Sequence, residues 1–354
     1  ANMISVILYY YCLLLGIGGA QLIAQQRAQA RNKFKIVGFK ERLSVSKCEQ
    51  IVEHHGVKIK KHLPIANACL CEIDTSTATF QSLAADSDVE FIEDDYIAEI
   101  QVMPTLSFPF KTQAQNVPWG VKKIGAAEVW GEMRGEKVRV GIIDTGIEQN
   151  HPDLKDNIKE AGGVMDCKNI DDDNGHGTHV AGIIAALDNG IGIVGVAPKV
   201  EIFSIKAFDQ KGRGQVSDII DALNWCVEKK VHVINMSFGF DMRSRALQRA
   251  IRQVHEHNIV MVAAAGNSGG DNSVTYPAKY PEVIAVAACD SKSNVASFSS
   301  SGPEVNIIAP GVDIQSTYIG QSYKVLNGTS MACPHVTGAV ALLLSSNKVK
   351  PGNI

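Results

Sequence analysis

Along the chain the spacing of apolar residues switches repeatedly between two periods, that of strands and that of helices. After the apolar run Met3 to Ala20, strand-like spacing covers Lys35–Phe39, Val57–Leu63, Ala68–Ile73 and Val89–Glu93, and helical spacing covers Ser46–His55 and Thr77–Ala85. The second helix carries a cap residue, Ser76 or Thr75, at its start. Residues 31–100 thus predict the order β-α-β-β-α-β, a small ferredoxin-like α+β unit. Such a unit serves as a binding module as readily as an inhibitor.

Residues 101–113 carry Pro104, Pro109 and no clear period, so they predict a linker between two compact units, the kind of place where chains are cut. From Ala114 onward apolar runs alternate with helical patterns. Strands are predicted at Val138–Ile143, Val200–Lys206, Val231–Met236, Ile259–Ala265 and Val283–Ala287. Helices are predicted at His176–Leu187, Val216–Lys229, Arg243–His257 and Ser330–Ser346. Strict alternation implies an α/β domain over residues 114–354, a doubly wound and mostly parallel sheet with ligands beyond the carboxyl ends of its strands.

Composition narrows the class. The chain has 354 residues, 45% hydrophobic residues and 31 glycines, enough for two globular units with many tight turns. A formal net charge of −3 supplies no basic field for nucleic acid. The eight cysteines lack the paired short spacings of a zinc site, and a core this large does not need staples, so mostly free, buried thiols are expected. The apolar run, the polar residues after it and the small-x-small site Ala28-Gln29-Ala30 predict that residues 1–30 are a signal peptide and that the product is secreted. An uncleaved membrane anchor is the rival reading of the same run.

Four motifs carry candidate chemistry. Val140-Gly-Ile-Ile-Asp144-Thr-Gly146 sets a carboxylate where a buried strand ends, although such an Asp alone is more often a cap or a turn former. Asn174-Gly-His176-Gly-Thr-His179-Val-Ala-Gly182 opens a helix with an uncrowded imidazole. The two histidines three apart raise a metal pair, for which no third ligand is near, so His179 is expected to pack structurally. Asn327-Gly-Thr-Ser330-Met-Ala-Cys-Pro334-His335 opens the most apolar helix, with Pro334 expected in its first turn. Ser330 there reads as a cap or as a hydroxyl aided by the helix N-terminus. Ala263-Ala-Ala-Gly-Asn267 ends a buried strand on an amide, a turn residue or an oxyanion donor.

Taken together, these motifs resemble those of the subtilisin-like serine proteases, whose order Asp, His, Ser is met by Asp144, His176 and Ser330. Asn235-Met-Ser237-Phe-Gly239 belongs to the same likeness, which runs from about Lys33 to the last residue. The resemblance implies a calcium-stabilised endopeptidase made as a self-processing zymogen, with residues 31–100 as an inhibitory propeptide and residues 101–113 containing the maturation cut. It implies Ser330 as nucleophile, His176 as base, Asp144 as its orienter, and Asn267 as oxyanion donor. Gly212, Arg213, Gly214 and Ser237, Phe238, Gly239 would flank an extended peptide substrate as edge strands. Ala264, Ala265 and Gly266 would line a roomy apolar pocket with broad specificity. Asp171, Asp172 and Asp173 form a solvated loop or favour basic substrates. A structural calcium ion would be held by Gln115, Asp153, Leu187, Asn189, Ile191 and Ile193, all through oxygen.

The same likeness implies further elements past Ile354, so residues 114–354 are expected to be a C-terminally truncated catalytic domain. Expected partners are protein and peptide substrates and the chain's own propeptide, with neither nucleic acid nor a stable membrane association after processing, and a monomeric enzyme. Two rivals are a catalytically dead peptide-binding protein on the same fold and an α/β-hydrolase esterase. The second is disfavoured because no Gly-x-Ser-x-Gly elbow surrounds Ser330.

Overall fold

The computed structural model describes residues 33–40, 43–111, 114–164, 169–346 and 349–354; the expected signal peptide lies outside them. The N-terminal unit runs β1 (Phe34–Phe39), α1 (Val45–His54), β2 (Lys58–Leu63), β3 (Ala68–Glu72), α2 (Ala78–Ala84), β4 (Val89–Asp94). Its sheet has the order β2-β3-β1-β4 with antiparallel pairs throughout, the ferredoxin-like arrangement the period predicts. Helix α1 begins where Ser44 accepts the Lys47 N–H, and α2 where Thr77 accepts that of Phe80.

Alternation assigns the two faces of this sheet. Val37, Cys69 and Cys71 point to the helices and form a small core with Cys48, Val52 and Leu83. Ile36, Leu70 and Phe91 point the other way, into the core of the larger domain.

After β5 (Ile97–Ile100), the large domain comprises α3 (Trp119–Lys123), α4 (Ala126–Val129), β6 (Arg139–Asp144), β7 (Ile158–Gly163), α5 (His176–Ala185), β8 (Glu201–Lys206), β9 (Arg213–Gln215) and α6 (Val216–Glu228). It continues with β10 (Val233–Met236), β11 (Phe238–Gly239), α7 (Arg245–Glu256), β12 (Val260–Ala264), β13 (Ile284–Cys289), β14 (Val305–Pro310), β15 (Ile314–Tyr318), β16 (Ser322–Leu326) and α8 (Thr329–Ser345). Seven strands, β14-β13-β12-β10-β6-β8-β7, make one parallel sheet. Helices α5 and α8 cover one face with Val180, Ile184, Met331 and Val340. Helices α6 and α7 cover the other with Ile220, Leu223, Leu247 and Ile251. Both faces are therefore dry, which is why the strands are continuous apolar runs.

Sheet order reverses between β6 and β10, so the carboxyl ends of those two strands open a crevice. Asp144 ends β6, Ser237 directly follows β10, and the N-termini of α5 and α8 point into the same place.

Candidate active site

The crevice brings together the residues the motifs single out. Asp144 Oδ1 lies 2.7 Å from His176 Nδ1, and both side chains are 1% exposed. The close approach needs Gly177, since a Cβ there would stand 2.0 Å from the Gly146 carbonyl and 3.2 Å from Asp144 Oδ1. The Ser330 hydroxyl donates to the Ser237 carbonyl at 2.7 Å, which leaves His176 Nε2 buried without a protein partner.

Helix α8 starts at Thr329, which places Pro334 in its second turn and not in the first as the sequence suggests. A proline there withholds the N–H that would bond the Ser330 carbonyl. The Ser237 hydroxyl fills that vacancy, donating to the Ser330 carbonyl at 3.0 Å. Ser237 in turn accepts from the Asn235 amide at 2.9 Å, and Asn235 Oδ1 accepts from Thr337 at 2.8 Å. The helix break thus ties the backbone at Ser330 to the end of β10.

Asn267 Oδ1 accepts the N–H and hydroxyl of Thr329, each at 2.9 Å, so the amide is held rigidly with its Nδ2 buried and free. Close by, the Ser330 N–H donates to the carbonyl of Gln101 at 3.1 Å. Gly328 between them has φ of 151°, and a Cβ there would lie 2.5 Å from that carbonyl and 3.3 Å from Asn267 Nδ2. The Gln101 carbonyl is thus held by one N–H at a helix N-terminus, where negative charge on its oxygen is stabilised.

Residues leading to that carbonyl form β5, which lies between β11 and β9 and is antiparallel to both. Glu99 pairs with Gly239 and Arg213, Ala98 with Gly214, and Ile100 with Phe238. Flanking bonds run from the Ile100 N–H to the Gly212 carbonyl at 3.0 Å and from the Gln101 N–H to the Ser237 carbonyl at 3.2 Å. All six expected edge-strand residues therefore flank one extended peptide, the chain's own. Ala264 and Ala265 are fully buried beside Gly266 at the end of β12. Thr275, which no motif marks, stands between the two walls: its hydroxyl would lie 2.3 Å from a Cβ on Gly239 and 3.1 Å from one on Gly266.

In the acidic loop Asp171 and Asp173 are exposed, as a solvated loop would have them, whereas Asp172 braces the fold. Asp172 is buried and accepts from Thr145, Asn174, Gly175 and Thr178, fixing the turn into α5. Burial raises its carboxyl above the usual range despite these bonds. Asp173 pairs with the buried Lys206 at 2.6 Å, and Asp171 accepts from Gln149. His179 is structural: its Nε2 contacts the carbonyls of Ile314 and Lys324, and burial lowers its pKa to about 3, so it stays neutral. Among the described residues no cluster of three His, Cys, Asp or Glu side chains forms a metal site. The six described cysteines are free and buried.

The expected calcium residues do converge. Asp153 Oδ2 accepts from the Ile193 N–H and Tyr323 hydroxyl, while its Oδ1 is buried with no partner. Gln115 reaches the Leu187 carbonyl at 2.8 Å and accepts from Gly190, and Asn189 reaches the Pro152 carbonyl. Ile191 joins through its N–H, which donates to Asn189. Burial lifts the Asp153 carboxyl to about 6. Gln115 and Asn189 turn amide nitrogens to the Leu187, Ile193 and Pro152 carbonyls, so the orphaned Asp153 Oδ1 is the one feature here that fits a hard cation.

Fold and crevice together define a serine endopeptidase. The sequence profile of the subtilase family matches residues 135–351. Subtilisin E of Bacillus subtilis (strain 168) is 38% identical over 351 residues, 96% of this chain and 88% of that protein. An alkaline protease of Alkalihalobacillus alcalophilus is 38% identical over 347 residues, 95% of this chain and 87% of its own length. Subtilisin DY of Bacillus licheniformis is 50% identical over 236 residues, 66% of this chain and 86% of its own. The chain belongs to the subtilase family.

Proposed function

We propose that the chain is the precursor of a secreted endopeptidase that cuts itself between Gln101 and Val102, with residues 31–100 acting as an inhibitory propeptide. The observation that carries this reading is the Ser330 N–H bonded to the Gln101 carbonyl while β5 fills the cleft between β9 and β11. A strand so held is bound as a substrate by main-chain bonds, and its tether keeps it there as an inhibitor.

In the chemistry, Ser330 Oγ leaves the Ser237 carbonyl by a side-chain rotation and attacks the carbonyl of Gln101. His176 takes the hydroxyl proton and delivers it to the departing Val102 nitrogen, while Asp144 holds the imidazole and stabilises its charged form. The oxyanion is received by the Ser330 N–H and Asn267 Nδ2. Water then attacks the acyl-enzyme and frees the Gln101 carboxylate. The same cycle acts on other proteins, whose residues before the scissile bond occupy the β9–β11 cleft. Ala264, Ala265 and Gly266 favour apolar side chains, and Gln101 marks an uncharged polar one as acceptable. Calcium would be held by Gln115, Asp153, Leu187, Asn189, Ile191 and Ile193 and would supply stability alone.

The test is the full chain with Ser330→Ala, expressed beside the wild type. Intact mass should show wild-type chains beginning at Val102 and the variant uncut. Efficient cutting of the variant in purified form would overturn self-processing.

A further inference from the structure

The chain does not leave the crevice after Gln101. The Met103 N–H donates to the Asn327 carbonyl at 2.8 Å in an antiparallel bridge one residue before Gly328. Further on, Phe110 and Tyr323 exchange two backbone bonds of 2.9 Å each, their rings 6.3 Å apart. Lys111 Nζ reaches the Gly320 carbonyl at 2.6 Å. The segment thus lies along β16 as a strap over the side of the catalytic centre where the leaving half of a substrate must sit.

Its register is uneven. Seven steps of chain from Met103 to Phe110 face only four from Asn327 back to Tyr323, so three residues are in surplus; the Ser107 hydroxyl accepts the Val325 N–H at 3.3 Å, and the residues on either side of Ser107 stand away from β16. Leu106 is 92% exposed, and Phe108 83% exposed. Large apolar side chains so exposed contribute nothing to folding, whereas a protease with an apolar pocket would engage them.

We propose that activation takes two cuts, the second made by another enzyme molecule at Leu106–Ser107, and that until then the strap blocks the leaving-group side. The inference rests on the self-processing reading above. After the first cut the amine of Val102 is not released: Met103, one residue on, is still bonded to Asn327. It both occupies the site and competes with water for the acyl-enzyme, returning the Gln101–Val102 bond. Leu106 cannot reach its own catalytic centre while both bridges hold, so the second hydrolysis is intermolecular. Leu106 is chosen over Phe108 because Pro109 follows Phe108, and a ring nitrogen is a poor leaving position in an extended bound peptide. Water adds across the Leu106–Ser107 bond, giving a carboxylate on Leu106 and an amine on Ser107. The freed Val102–Leu106 piece is then held by a single bridge and leaves.

The experiment follows the full chain by intact mass at two concentrations tenfold apart. The wild type should show a form beginning at Val102 and then one beginning at Ser107, the second appearing about tenfold faster at the higher concentration. The Leu106→Asp variant should stop at Val102. That form should hydrolyse a small peptide anilide, whose leaving half is a single ring too short to run along the strap, within about twofold of the Ser107 form. Casein, which must lie across both sides, should be cut at least tenfold more slowly. Residual propeptide would depress both substrates together and so be told apart. If Val102 persists as the wild-type N-terminus with full activity on casein, the strap inference is overturned and self-processing stands. If no cut follows Gln101, both fall.

Discussion

Asp95 of the N-terminal unit accepts the Ser217 backbone N–H at 2.9 Å and the Ser217 hydroxyl at 2.7 Å, so it caps α6 of the other domain. Glu93 does the same for α7, accepting from Ser244, Arg245 and Ala246. Each carboxylate meets N–H groups that a helix start leaves unpaired. Around them Lys61 pairs with Asp218 and Asp221, and Arg245 and Arg249 with Glu90.

Asp95 gives the contact a pH dependence. Burial outweighs the two bonds from Ser217 and lifts its carboxyl from 3.8 to about 6, with Asp218 raising it further and Lys61 opposing. A carboxyl raised on docking holds its proton more tightly in the complex, so its contribution is present at low pH and is lost as pH climbs from about 4 to about 6. Binding of isolated residues 31–101 to mature enzyme, followed by inhibition, should weaken across that window, by at most about a hundredfold if the shift is fully expressed. Asp95→Asn should flatten the profile; an unchanged slope would exclude Asp95 as its source.

Removing the Asn267 amide tests its proposed role. In subtilisin, loss of such a donor costs about 10²–10³ in kcat, and Asn267→Ala should lose a similar amount with little change in KM. Because Asn267 also accepts from Thr329, a lower melting temperature should accompany the loss. A variant with normal kcat would reassign the oxyanion contact.

Gly328→Ala should impair the enzyme for a different reason. The new methyl would meet the substrate carbonyl at 2.5 Å in a backbone region hostile to side chains. We expect kcat/KM on a peptide anilide to fall at least a hundredfold and precursor to accumulate, with circular dichroism unchanged.

Chelation separates stability from chemistry. At calcium near 100 times its dissociation constant, linkage supplies about 2.7 kcal/mol. Chelator should lower the melting temperature and speed autolysis while the initial rate at low temperature holds. Asp153→Ala should behave as the chelated enzyme does. Immediate loss of rate with the fold intact would make the metal catalytic.

Much of this architecture is legible in sequence because buried parallel strands are nearly pure apolar runs, as in β6, β10 and β12. The rest is hidden for physical reasons. Strand β7, Ile-Lys-Glu-Ala-Gly-Gly, lies at the sheet edge and carries one large apolar residue. Strand β14 lies at the other edge with Ile307 and Ile308 nearly half exposed, so neither edge shows the core pattern. β5 has no partner within a hundred residues of sequence, and nothing local predicts its insertion. The triad motifs are recognisable by their glycines, whereas Thr275 and the Asp172 bracing depend on contacts that no spacing encodes.

The three side chains of the crevice are spread along the chain, and the hydroxyl comes last of them. Asp144 ends an early strand, His176 opens a helix, and Ser330 opens the last long helix, whose buried residues pack against the central strands. The Asp144–His176 pair has no hydroxyl beside it until α8 has been made and packed. A chain cut short before α8 would hold an imidazole–carboxylate pair with no nucleophile for it to serve, so it could not attack its neighbours.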